Sequence, residues 1–152
     1  MRSLFAALLC AAFLPGTVSG QGAGLVTLPS KYSVTETMNR FDAAVKNGPP
    51  GFQVFLRVDF QEVAASQGGK VRPEQLILFG RGSVLQDLLP QSPLVAIDFP
   101  LKALAWEDEA GKIWLAYQTG EYLAERHGIK GKDEVLRRLT AIAARFAKAA
   151  TE

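Results

Sequence analysis

The sequence predicts an α+β domain in which an antiparallel or mixed sheet carries a long helix packed on one face. Three observations predict it. Strand-like and helix-like segments follow one another through short connections. Two of the strands are joined as a hairpin around Glu109-Ala110-Gly111. The helical segments open on capping signals and carry their apolar residues in one stripe. Strands interleaved with few helices and joined partly by a hairpin favour α+β over a parallel doubly wound sheet.

Gly24–Leu28 reads as a first strand, stopped by Pro29. Ser33-Val34-Thr35-Glu36 is a capping box, in which Ser and Glu satisfy each other's backbone N–H groups. Val34, Met38, Phe41 and Val45 then recur at i, i+4, i+7 and i+11, one face of a helix. Gly48 and Pro49-Pro50 end it. Phe52, Val54, Leu56 and Val58 alternate with Gln53, Phe55, Arg57 and Asp59, the period of a half-buried strand. A second box at Asp59–Glu62 opens a short helix running to Gly68-Gly69. Glu74–Gly80 is a compact apolar strand, and Ser83–Gln86 is a third box. Phe99–Asp108 and Lys112–Thr119 form the hairpin. A short helix, Glu121–His127, follows it. A last helix from about Lys132 carries Val135, Leu139, Ile142 and Phe146 on one face, with Arg137, Arg138, Arg145 and Lys148 opposite.

The first twenty residues bear on compartment. Arg2 precedes an apolar run from Leu4 to Leu14, broken by Pro15-Gly16, and Val18-Ser19-Gly20 supplies small residues before Gln21. A basic start, a short apolar centre and a small-residue exit define a secretory signal peptide. The run is shorter than the roughly 20 apolar residues that span a bilayer. The expected organisation is therefore a signal peptide at residues 1–20 and one domain at 24–150, in a periplasmic or secreted protein with no transmembrane segment. The only cysteine, Cys10, lies inside the signal, so the mature chain has neither disulfide nor thiol chemistry. With 17 Lys and Arg against 15 Asp and Glu, the charge is nearly balanced and offers little attraction for nucleic acid.

The chemical inventory is thin. One histidine cannot build a multi-histidine metal site, and no phosphate-binding loop or nucleophile elbow occurs, so neither a metal nor a cofactor is expected. His127 sits just before Gly128 at a helix C-terminus, where it either caps the last carbonyls or contributes to a pocket. Tyr122 and Arg126, four apart, are neighbours on that helix. With Tyr117 and Arg72 they compose an anion-attracting set, since arginine pairs with carboxylates through parallel hydrogen bonds. Trp106, opposite small residues on the hairpin, completes the expected ligand-binding group of His127, Arg126, Tyr122, Tyr117, Trp106 and Arg72. Glu107-Asp108-Glu109 reads as a solvated turn.

The run Pro100-Leu101-Lys102, Leu104, Trp106-Glu107-Asp108, followed by Gly111-Lys112, Trp114 and then Tyr122–Gly128, resembles domain-of-unknown-function family 302. The likeness covers about Gly24 to Ile129. It implies an antiparallel sheet with a long helix against it, similar to the TATA-binding-protein fold, and a homodimer. Two positions depart from the family pattern. Phe60 follows Asp59 where a histidine is common, and Arg81-Gly82 follows Gly80 where Asn-Pro is usual.

Two functions from different classes fit these residues. The first is a periplasmic binding or accessory module for a small molecule or a partner protein. The alternative is a small enzyme with His127 as acid–base and Tyr117, Tyr122 and Arg126 orienting substrate. The absence of any nucleophile or metal constellation favours the first.

Overall fold

The computed structural model describes residues 24–152. The signal-peptide reading of residues 1–20 lies outside them. In chain order the elements are β1 (Leu25–Ser30), α1 (Val34–Lys46), β2 (Gln53–Asp59), α2 (Phe60–Ser66), β3 (Glu74–Gly80) and α3 (Gly82–Leu88). A 3-10 helix (Pro93–Asp98), β4 (Leu101–Glu107), β5 (Ile113–Gln118), α4 (Gly120–His127) and α5 (Asp133–Thr151) follow. The five strands form one sheet in the order β1-β5-β4-β3-β2, with every neighbouring pair antiparallel. The α+β class read from the sequence is the fold observed.

Both α1 and α5 pack against the same side of the sheet and against each other. From α1, Val34, Met38, Phe41 and Val45 are all buried, the stripe that the 3.6-residue period predicts. Ser33 caps this helix by accepting from Glu36 N–H at 3.2 Å. Gln75, Ile77 and Phe79 of β3, Leu101, Ala103 and Ala105 of β4, and Leu115 and Tyr117 of β5 face these helices. At the centre, Phe146 of α5 meets Phe41, Phe79 and Phe52 edge-on, with ring centroids 6.1, 6.1 and 5.7 Å away. Edge-to-face aromatic pairs add to the area they bury.

Four expectations about the elements need correction. Pro29 does not stop β1 but lies within it, opposite Trp114. β1 is an edge strand, where a missing N–H costs nothing if it faces away from the ladder. In β2 the register shifts between Val54 and Leu56. One extra residue inverts the alternation. Val54 therefore keeps the helix side opposite Phe79, whereas Leu56 and Val58 turn to the other face and Arg57 and Asp59 take their place. There Arg57 donates to Asn39 of α1 and to Gln75, and Gln75 donates to Asp59, a closed polar tie. Ser83 lies inside α3, whose N-cap Arg81 makes no side-chain cap bond. Along α5 the buried positions are Leu136, Leu139, Ala143, Phe146, Ala147 and Ala150, with Val135 and Ile142 at the margin.

The other face of the sheet carries Leu25 and Thr27, Trp114 and Ala116, Leu104 and Trp106, Leu76 and Leu78, and Leu56 and Val58. Except for Trp114 these residues are half-buried or exposed. Part of the basic quadrant of α5 is paired locally: Arg137 and Arg138 share Glu134, and Lys148 pairs with Glu152.

Because Phe146 joins three other phenylalanines, Phe146→Ala is expected to destabilise the domain by about 3–5 kcal/mol. Chemical denaturation of wild type and variant measures this. Ile142→Ala, at the margin of the same helix, is expected to cost clearly less.

Candidate functional site

The histidine candidate belongs to α4, a helix tightly fixed at both ends. Thr119 caps its start by accepting from Tyr122 N–H at 3.2 Å. Gly120 lies so close to the backbone of Leu136 in α5 that a Cβ would collide with it. Its N–H donates to Thr140 Oγ1 at 2.8 Å. The same hydroxyl lies 2.9 Å from Glu121 Oε2. Burial raises the pKa of the Glu121 carboxyl, but hydrogen bonds from its own backbone and from Thr140 and Thr119 outweigh this and hold it below its ordinary value. Gly128 ends the helix in the left-handed region, φ +63°.

At that end the His127 side chain is only 5% exposed, and its Nε2 lies 2.6 Å from Asp98 Oδ2. Arg126 Nε lies 3.0 Å from the same carboxylate oxygen, in an ion pair. Arg126 Nη1 donates to the Tyr122 hydroxyl at 3.0 Å. Asp98, at 10% side-chain exposure, is the last residue of the 3-10 helix. The four groups thus fasten the C-terminus of α4 to the chain entering β4. Among the described residues Arg126 forms no ion pair with Glu107 or with Glu125 of its own helix. Asp98 was missed in the sequence. The available signal was its isolation, as the only carboxylate between Asp87 and Glu107 in an otherwise apolar stretch.

The remaining candidates do not join them. Tyr117 is 4% exposed on the helix side of the sheet, opposite Ala103 and Val26. Burial raises its hydroxyl pKa, and the charge of Glu121 adds to this. Trp106 pairs with Trp114 and projects from the opposite face. Arg72 is exposed in the loop between α2 and β3. The expected convergence of the six residues fails for a simple reason. Tyr117 and Trp106 belong to register positions of opposite parity, and successive pairs along a ladder alternate sides.

Trp106 instead belongs to a groove on the open face of the sheet, with a volume of about 450 Å³. Leu25, Thr27, Leu104 and Ala116 line it with the two tryptophans, and the acidic residues Glu74 and Asp108 line it at the hairpin end. Asp108 organises the hairpin turn. It accepts from Ala110 N–H, Lys112 N–H and Trp114 Nε1–H at 2.9, 2.9 and 2.7 Å. These bonds, that of Trp114 foremost, hold its carboxyl below the ordinary value, so it stays charged well into acid. The turn reading of Glu107-Asp108-Glu109 holds, with Asp108 as its organiser. Among the described residues no cluster of three or more His, Cys, Asp or Glu is placed to hold a metal ion.

A family model described as "Domain of unknown function DUF302" matches residues 26–146. The chain belongs to the DUF302 family. A solved member, the uncharacterized conserved protein DUF302 from Bacillus stearothermophilus, superposes with a TM-score of 0.72 at 16% identity. The match covers 83% of this chain and 97% of that one, which establishes a shared fold. Curated relatives include proteins named fluoride-specific ion channel FluC 1 from Brucella suis biovar 1 and Brucella abortus biovar 1. Each is 39% identical over 107 residues, or 70% of this chain. The matched segment makes up 41% and 39% of those relatives, so the chain spans about two-fifths of their length. Among the described residues no helix of this DUF302 chain is long and apolar enough to cross a membrane.

Two outcomes follow from this geometry. His127→Ala removes one partner of a nearly buried carboxylate and is expected to cost about 1–3 kcal/mol, read as a lower Tm. An unchanged Tm would show that the Asp98 contact contributes nothing. For Asp108, a depressed folded-state pKa means stability present above its unfolded value and lost as pH falls through the folded one. Tryptophan fluorescence is therefore expected to stay constant down to the ordinary carboxylate range and to change only below it. In Asp108→Asn that acid transition should be absent.

Proposed function

We propose that this DUF302 chain is an exported binding or accessory module, periplasmic or secreted, which takes a small ligand or a segment of a partner protein into the groove on its open sheet face. The observation that carries this reading is the contrast between the two candidate regions. His127 is enclosed and its Nε2 is committed to Asp98, which suits a structural tie better than acid–base work on a substrate. The groove is concave, mostly apolar, open to solvent and bordered by few polar groups. Its volume falls in the range of about 300–1,000 Å³ usual for small-molecule sites. The channel-named relatives support an accessory role, since a segment similar to this chain makes up only a part of each.

The homodimer implied by the family resemblance has a surface available to it. Phe55 and Leu56, at the β2 bulge, are 50% and 52% exposed on adjacent positions. Contiguous exposed apolar side chains favour association. Light scattering at tens of micromolar is expected to give the dimer mass, and a monomer throughout would overturn that part of the reading.

The binding role is tested by native mass spectrometry of protein recovered from its own compartment. The expected species begins at Gln21 and carries a retained adduct that is lost in Ala116→Phe, which fills the groove. A chain retaining residues 1–20 in the cytoplasm overturns export. An adduct unaffected by Ala116→Phe overturns the groove as its site.

A further inference from the structure

The groove has a chemical bias that its shape alone does not require. Of the residues that line it, none is Lys or Arg, while Glu74 and Asp108 both contribute carboxylates at one end. Asp108 is held ionised by three N–H donors, so its charge is fixed in place. Glu74 differs. It is half-buried at the start of β3, directly opposite Trp106, and among the described residues it takes part in no ion pair. A partly desolvated carboxylate without a counter-charge favours a cation that comes to it.

The aromatic wall points the same way. The Lys112 ammonium already lies 4.0 Å from the ring centroid of Trp114. This hairpin thus holds one cation on an indole with its own side chain. Trp106, the cross-strand partner of Trp114, lines the groove between that pair and Glu74. Indole rings attract ammonium groups through their electron-rich faces, more strongly when the pair is desolvated. Away from the acidic end, Leu25, Leu104 and Ala116 offer only apolar surface.

We propose that the groove selects amphiphilic cations: an ammonium group seated between Glu74 and Trp106, with an aliphatic body along Leu104, Ala116 and Leu25. This rests on the reading of the groove as the binding site and names the class of ligand it takes. A free carboxylate or phosphate of the same size is disfavoured at that seat, because it would meet the Glu74 carboxylate, which among the described residues takes part in no ion pair.

The two tryptophans of the chain, Trp106 and Trp114, both line the groove, so their fluorescence reports directly on its occupant. The experiment is a titration of the purified protein with hexyltrimethylammonium, 1-hexanol and hexanoate. The expected result is a saturable change with the ammonium at about tenfold lower concentration than with the alcohol, and hexanoate weakest. In Glu74→Gln the preference for the ammonium over the alcohol should fall severalfold, with the Tm unchanged, and an undiminished preference would overturn Glu74 as the seat. If all three probes bind alike, the cationic class is overturned while the groove remains the binding site. If none gives a saturable change, both readings fall. A response to the ammonium that fades as protein concentration rises would assign the groove to a second copy of the chain and overturn the proposal. Should Glu74→Gln lower the Tm, raised ionic strength supplies the independent measurement. It is expected to weaken ammonium binding and leave the alcohol as it was, and an ammonium response indifferent to salt would overturn the cationic class.

Discussion

The structure depends on one packing interaction, the enclosure of Phe146 among Phe41, Phe52 and Phe79. These four rings come from α5, α1, the approach to β2, and β3. They join the last helix of the chain to its first half. A five-stranded antiparallel sheet with one face covered cannot bury enough surface by its own hydrogen bonds. It needs helices laid across it, and their apolar stripes must meet the side chains of alternate strand positions. Here α1 and α5 satisfy that requirement together. The buried strand positions on the helix side, Ala103 and Ala105 of β4 among them, belong to the same core.

The polar ties hold the margins of this core. Arg57, Gln75, Asp59 and Asn39 join the β2 and β3 ends to α1, while Asp98, His127, Arg126 and Tyr122 join α4 to the 3-10 helix. Each set is nearly closed on itself. Buried polar groups that already have partners specify geometry and leave little capacity for substrate chemistry. The only histidine is therefore better understood through what it fastens than through what it could transfer. Its enclosure moves attention to the opposite side of the sheet, which carries half-exposed apolar residues and the Glu74 carboxylate, a group that among the described residues takes part in no ion pair.

The two faces of the sheet thus differ. One is covered by α1 and α5, and the other is left open. The β2 bulge contributes to the division by turning Leu56 and Val58 outward and bringing Arg57 inward, where it meets α1. Asp108 contributes at the hairpin, since the carboxylate that shapes the turn by accepting from Ala110 and Lys112 N–H also accepts from Trp114 Nε1–H beside the groove. The DUF302 fold persists in the solved Bacillus stearothermophilus member at 16% identity.

By itself the sequence determined the α+β class, the α1 stripe, the Ser33 and Asp59 caps, the β4–β5 hairpin, the turn role of Asp108 and the family. These are local or periodic properties, set by which residues recur every two or every 3.6 positions and by capping groups within three residues of one another. Only the tertiary structure decided which candidates meet. Asp98 and His127 are 29 residues apart, and no local pattern connects them. The separation of Tyr117 from Trp106 depends on the β4–β5 register. The outward turn of Leu56 depends on a single extra residue in the β2–β3 ladder. Register and bulges are set by the pairing of distant strands, and one residue of slip moves every side chain beyond it to the other face.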